Sequence, residues 1–246
     1  MSIKKFAILG ERCSGTNFLE ESIKNNFNIN YTTEYGNKHF FCFNSYPNNE
    51  DTLFIGIVRN PIYWLNSFSK ELHHVPKINK NIQNFFLNEF YSVLDDQDTK
   101  RSMFDFNIFS KPEILNTKDL NYLNGNKYKD IFELRIMKNN YLMNIMPYKV
   151  KNYILINYES LLYNYDETLN KIQQNFNIVK KNEAYVKIKK YKKSDSYNFQ
   201  QQRIITLNNK LINYIWQNLN AEQETALGYV KDDDNTKFKN SDQNII

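Results

Sequence analysis

The stretch KKFAILGERCSGTNFLEESIKNNF, residues 4–27, decides the reading of the fold. Its first part, KKFAILG over 4–10, is a short apolar run closed by glycine, which reads as a buried strand. From 16 to 27, Phe18, Leu19, Ile23 and Phe27 recur at helical spacing, so one face of a helix is apolar. Between them lies a tight loop, Gly10-Glu11-Arg12-Cys13-Ser14-Gly15-Thr16-Asn17. The chain therefore opens strand, loop, helix.

Outward from this unit the alternation continues. NKHFFCF over 37–43 reads as a second β-like piece, and TLFIGIV over 52–58 as a third strand. Asn60-Pro61 then starts a helix, because Asn caps well and Pro suits the first helical position. NYILINY over 152–158 is a fourth strand with a helix following to about 175. Strands alternating with helices imply an α/β fold, a three-layer sandwich around a central, mostly parallel sheet. Residues 71–150 read as a mainly helical insertion covering the site, with helical stretches near 81–94 and 128–146 and polar loops around 95–101 and 116–128. A last helical region spans about 203–228, with Asn220 as a cap inside it. We expect one domain over 1–230 and a polar, disordered tail over 231–246.

The loop carries chemistry through its context. Between a strand and a helix, successive backbone N–H groups and the helix N-terminus form a cradle for phosphate. Gly10 and Gly15 have the spacing of G-x-x-x-x-G-K-[ST], but Thr16 and Asn17 follow in place of Lys and Ser/Thr. The lysine for the terminal phosphates of ATP is missing, as is the hydroxyl for Mg²⁺. This argues against an ordinary ATPase or kinase and for a P-loop-NTPase-like chain whose ligand carries its charge differently. A glycine turn without ligand is the plainer alternative.

Arg59 falls at the carboxyl end of the third strand, where open α/β sheets bind ligands. Ser67 stands eight residues on, within the second turn of the next helix. A guanidinium and a hydroxyl so placed can converge on one phosphate, with the planar fork of Arg giving two-pronged contacts. Taken alone, the pair also reads as a salt bridge and a surface serine. Tyr158 ends the fourth strand and suits either stacking on a base or the core.

Composition bounds these readings. The chain has 246 residues, a net charge of +5, 18 Tyr and 18 Phe. A mild basic excess fits a polyanionic ligand and does not separate a nucleotide from weak nucleic-acid binding. The abundance of Asn and Lys reads as a coding bias. Two cysteines, Cys13 and Cys42, form no paired motif, and no zinc site is expected. No run of about 18 apolar residues is present and the N-terminal run is short for a signal peptide. The expected location is the cytoplasm, or that of a host cell.

Loop, Arg-x-Pro with a serine eight after the Arg, and Tyr-Glu-x-Leu, in this order, resemble the sulfotransferase family that uses 3′-phosphoadenosine 5′-phosphosulfate (PAPS). Ile215-Trp216 through Leu227-Gly228-Tyr229 also resembles that family's closing helices. The resemblance covers most of the chain and is weak across 71–150. It implies a P-loop-like enzyme transferring sulfuryl to a hydroxyl or amine, a carbohydrate acceptor first among candidates, with 3′-phosphoadenosine 5′-phosphate (PAP) as product and no metal required. Carried over, Ser14, Gly15, Thr16 and Asn17 match the 5′-phosphosulfate loop, and the flanking Arg12, Cys13 and Phe18 are counted with it as cofactor-binding residues. Arg59 and Ser67 match the 3′-phosphate pair, Tyr158 lies near the nucleotide, and Lys192 and Lys193 fall where a late loop covers the 3′-phosphate. A run of lysines also reads as a solvated face.

One departure stands out. The family often has a basic residue immediately before the loop serine, and here that position is Cys13. Either Arg12 reaches in by another path or Lys38 takes the role. The three histidines, His39, His73 and His74, all lie between or just after the two phosphate motifs. His39 is the first candidate for the general base and His74 the second, with Glu34 and Glu11 as carboxylate alternatives. Two other classes stay open: a P-loop nucleotide kinase or other enzyme using nucleoside triphosphates, and a non-catalytic nucleotide- or nucleic-acid-binding module. No nucleic-acid motif is present.

Overall fold

Every residue of Thr52–Val58 is buried, so this strand has protein on both faces. The computed structural model describes residues 2–94, 113–189 and 205–231. Among them β1 (Lys5–Leu9), β2 (Asn30–Tyr31), β3 (Thr52–Val58) and β4 (Asn152–Asn157) form one sheet in the order β2-β1-β3-β4. All three pairings are parallel.

Alternation sorts the side chains into two layers. Phe6, Ile8, Leu53, Ile55, Ile57, Ile154 and Ile156 pack on one face, against α1 (Thr16–Asn26), α6 (Tyr158–Tyr163) and α7 (Tyr165–Phe176). Ala7, Leu9, Phe54, Val58 and Leu155 face the other way. There they meet Phe41, Tyr141, Leu142, Met146, Leu227 and Tyr229. The result is a three-layer α/β arrangement. A second core beside it joins α2 (Pro61–Phe68), α3 (Ile82–Leu87), α4 (Ile131–Asn140) and α8 (Asn209–Asn218). The last helix among the described residues is α9 (Ala221–Ala226), whose cap is Asn220.

Several expectations change in detail. Residues 37–43 form turns, not a strand, and the strand in that part of the chain is the two-residue β2. The apolar run there is explained by packing: Phe40, Phe41 and Cys42 are buried side chains. The turn still docks at the end of β1, where the Gly10 N–H donates to the Lys38 carbonyl at 2.9 Å. The helix expected over 81–94 stops at Leu87, and Phe90 and Val93 instead make antiparallel bridges to Tyr128 and Leu115. The stretch 128–146 yields α4, then a π-helical turn over Tyr141–Ile145, then α5 (Met146–Lys149). Pro147 lacks the N–H that would continue a regular helix, which accounts for the wider turn before it. Residues 232–246 and the loop over 95–101 lie outside the described residues. No helix among the described residues is long and apolar enough to cross a membrane.

The order β2-β1-β3-β4 places a topological switch between β1 and β3. The chain leaves β1 toward one edge and β3 toward the other, and the carboxyl ends at such a switch point are where open α/β sheets bind ligands. Gly10, Arg59 and Tyr158 directly follow β1, β3 and β4 at that end.

Candidate functional site

Gly10 ends β1 where the backbone of β3 is close: a Cβ there would sit 2.6 Å from Ile57 Cγ2 and 2.8 Å from the Ile57 carbonyl oxygen. The loop then curls through two left-handed residues, Cys13 at φ 64° and Gly15 at φ 91°. Its carbonyls are tied outward one after another. His39 Nδ1 lies 2.8 Å from the Gly10 oxygen, and the Ser14 N–H donates to Glu11 at 3.1 Å. Trp64 Nε1 donates to the Arg12 carbonyl at 2.8 Å, and Arg59 Nη1 to that of Cys13 at 3.0 Å. Gly15 caps α1, and no side chain caps that N-terminus. A helix start without a side-chain cap, behind a loop with its carbonyls held back, has backbone N–H groups that can donate to an anion.

The second motif meets the first. Arg59 Nη1 also donates to Ser67 Oγ at 3.2 Å, and the guanidinium lies 4.8 Å from the ring centre of Tyr158. Tyr158 in turn closes over Gly15 and meets Phe18 edge-on at 6.0 Å. Arg59 Nε is buried and has no hydrogen-bond partner among the described residues. Ser67 faces the guanidinium because Asn60 fixes the start of α2, its side chain accepting from the Ile62 and Tyr63 N–H groups. Ser14, Thr16 and Phe18 are buried, and the Phe18 ring belongs to the core, which leaves only its backbone to the loop.

Arg12 is placed otherwise. It is buried and donates to Glu11 Oε1 at 2.8 Å, to the His73 carbonyl at 3.1 Å and to Asp119 Oδ2 at 3.2 Å. Its guanidinium sits 4.6 Å from the Phe68 ring centre. Lys138 completes the group, reaching Glu11, the His39 carbonyl at 2.7 Å and Asp119 Oδ1 at 2.5 Å. Two cations and two carboxylates neutralise one another beneath the loop. Burial alone would raise the Glu11 pKa, but Lys138 and Arg12 outweigh it and hold the group at about 2. Glu11 is thus tied up in ion pairs, and Glu34 pairs with Lys5 at the opposite end of β1.

Of the two alternatives for the basic residue, Lys38 is the one beside the helix start. Its Nζ reaches Asn17 Oδ1 and, at 3.2 Å, Glu20 Oε2. His39 is half-buried, and burial pushes its pKa down to about 3. Because a carbonyl accepts, Nδ1 carries the proton in the bond to Gly10, and Nε2 keeps its lone pair. His74 Nδ1 likewise lies 2.9 Å from a backbone carbonyl, that of Val93, and its ring is edge-on to Phe40. His73 is exposed beside Glu71. Lys192 and Lys193 lie outside the described residues.

Sequence reading missed the supports contributed by α4. Arg135 makes a two-pronged bond to Glu224, and Lys138 holds Glu11. Arg135 and Lys138, three apart in α4, lie on one face of the helix, and that was the available signal. No family model, curated protein or solved structure matches this chain.

Proposed function

We propose that this chain is a sulfotransferase of P-loop-like fold that takes the sulfuryl group from PAPS. One observation carries the reading. Arg59 joins the loop after β1 to Ser67 while lying against Tyr158, so three motifs far apart in sequence converge at the sheet's switch point. The residues fit a nucleotide with two separate anionic ends. The loop and the N-terminus of α1 would hold the 5′-phosphosulfate, with Lys38 beside it. Arg59 and Ser67 would hold the 3′-phosphate, and the buried Arg59 Nε–H, which has no partner among the described residues, is the donor such an anion would satisfy. Tyr158 would border the nucleotide.

PAPS supplies an activated sulfuryl group, which passes to an acceptor oxygen or nitrogen while PAP leaves. The chain's part is to hold the bisphosphate, to favour charge on the departing oxygen through Lys38 and the α1 N-terminus, and to accept the acceptor's proton. His39 Nε2 is the first candidate for that proton. Burial keeps the ring unprotonated at neutral pH and also makes it a weaker base than ordinary imidazole.

The test is calorimetric binding of PAP against 5′-AMP and Mg-ATP, with Arg59→Ala alongside. We expect PAP to bind best and Arg59→Ala to cost about 1.5–3 kcal/mol of that affinity. Mg-ATP binding as tightly as PAP would support a kinase-like enzyme instead. Salt-dependent oligonucleotide binding with no response to PAP would support a binding module.

A further inference from the structure

The peptide unit joining Arg59 to Asn60 is held on both sides by groups that trace back to one late segment of the chain. On its oxygen side, Arg135 Nη2 donates to the Arg59 carbonyl at 3.0 Å. Arg135 is itself fixed by Glu224 of α9, through Nε at 2.5 Å and Nη2 at 2.7 Å. On its nitrogen side, the Asn60 N–H donates to Glu159 Oε1 at 3.0 Å. The other oxygen of Glu159 accepts from the Tyr229 hydroxyl at 2.9 Å. Glu159, Arg135, Glu224 and Tyr229 are all buried.

A peptide plane gripped at both its oxygen and its hydrogen has little freedom to rotate, and the Arg59 side chain leaves the backbone at that plane. We infer that residues 221–229 act as a positioning clamp for Arg59. Glu224 works through Arg135 and Tyr229 through Glu159, so that the Arg59 guanidinium is preset against Ser67 before the nucleotide arrives. Presetting matters because a charged donor gives its full advantage only where no binding energy is spent on orienting it. The inference rests on the nucleotide reading above and adds the residues that tune it. None of the four touches the ligand position directly; they are positioning residues.

Glu224 and Arg135 form a buried pair, so removing either alone endangers the fold. Tyr229→Phe is the gentler probe, since it deletes one hydroxyl and keeps the ring. The experiment measures PAP and 5′-AMP binding by calorimetry to the wild type, Tyr229→Phe, Arg59→Ala and the double variant, with melting curves for each. Loss of one hydrogen bond that orients Arg59 should weaken PAP about threefold to tenfold and leave 5′-AMP unchanged. In the Arg59→Ala background the same substitution should have no effect on PAP, because the residue it positions is gone. Equal weakening of both nucleotides, an undiminished effect without Arg59, or no effect at all overturns the clamp. A wild type with no preference for PAP over 5′-AMP overturns the nucleotide reading and the clamp with it. A wild type that has the preference, with Tyr229→Phe indifferent, overturns the clamp alone.

Discussion

The ring of Tyr158 covers the α-carbon of Gly15: a Cβ placed there would fall 2.1 Å from Tyr158 Cδ2 and 2.6 Å from Cε2. The third motif thus reaches the loop after β1 by direct contact, and the loop's last glycine is fixed by what lies above it as well as by its own φ of 91°.

Gly15→Ala should therefore damage the loop twice. A left-handed alanine is strained by about 1–2 kcal/mol, and the tyrosine must move aside. We expect PAP affinity to fall at least about tenfold and stability by roughly 1–3 kcal/mol. Adding Tyr158→Ala should relieve the crowding and recover part of the stability, leaving the backbone strain. Calorimetry and urea unfolding on the single and double variants measure both effects.

Acid should unfold the protein in two identifiable stages. His39 is held at about 3 when folded, below its ordinary 6.5, so the unfolded chain takes up its proton first and stability falls as pH drops below 6.5. Glu11 is held at about 2, below its ordinary 4.5, so its contribution is complete above 4.5 and is lost as pH falls toward 2. Urea unfolding across this range should show His39→Asn flattening the slope between 6.5 and 4.5 and Glu11→Gln flattening it below 4.5. Unchanged slopes in both variants would contradict the burial of these groups.

The two histidines whose Nδ1 atoms face backbone carbonyls, His39 and His74, should separate in turnover. His39→Asn keeps an amide donor for the Gly10 carbonyl but supplies no base. With PAPS and a panel of hydroxyl acceptors, the substitution should lower turnover about 10²- to 10⁴-fold with PAP affinity within about twofold of wild type. His74→Asn should have the smaller effect. The reverse ranking would move the base to His74. Equal loss of PAP affinity in His39→Asn would make His39 a loop support.

Parts of the fold were legible because they depend on local physics. The apolar strand before Gly10, the helical spacing after it and the Asn60-Pro61 helix start are set by side-chain periodicity and capping, and β1, α1 and α2 follow them. The parallel sheet follows from strands alternating with helices. Residues 37–43 misled because a run of buried aromatics can satisfy packing in a turn as well as in a strand, and hydrophobicity alone does not separate the two.

Which charges would remain available to a ligand was decided only in three dimensions. In sequence, Arg12 and Arg59 are equal candidates, each beside a phosphate motif. In the fold, Arg12 meets Glu11 and Asp119 and is neutralised beneath the loop, while Arg59 keeps a buried N–H without a partner among the described residues. Of the partners that separate them, Asp119 is 107 positions from Arg12 and Arg135 is 76 from Arg59, while Lys138 acts through Glu11, 127 positions from it, and Glu224 through Arg135, 89 positions from it. Coulombic and hydrogen-bond energies depend on distances of a few ångströms in space, so no local pattern along the chain carries them. The sequence by itself determined the elements and the order of the motifs, and tertiary packing determined that Arg12 is bound into buried ion pairs while Arg59 is not paired with a carboxylate among the described residues.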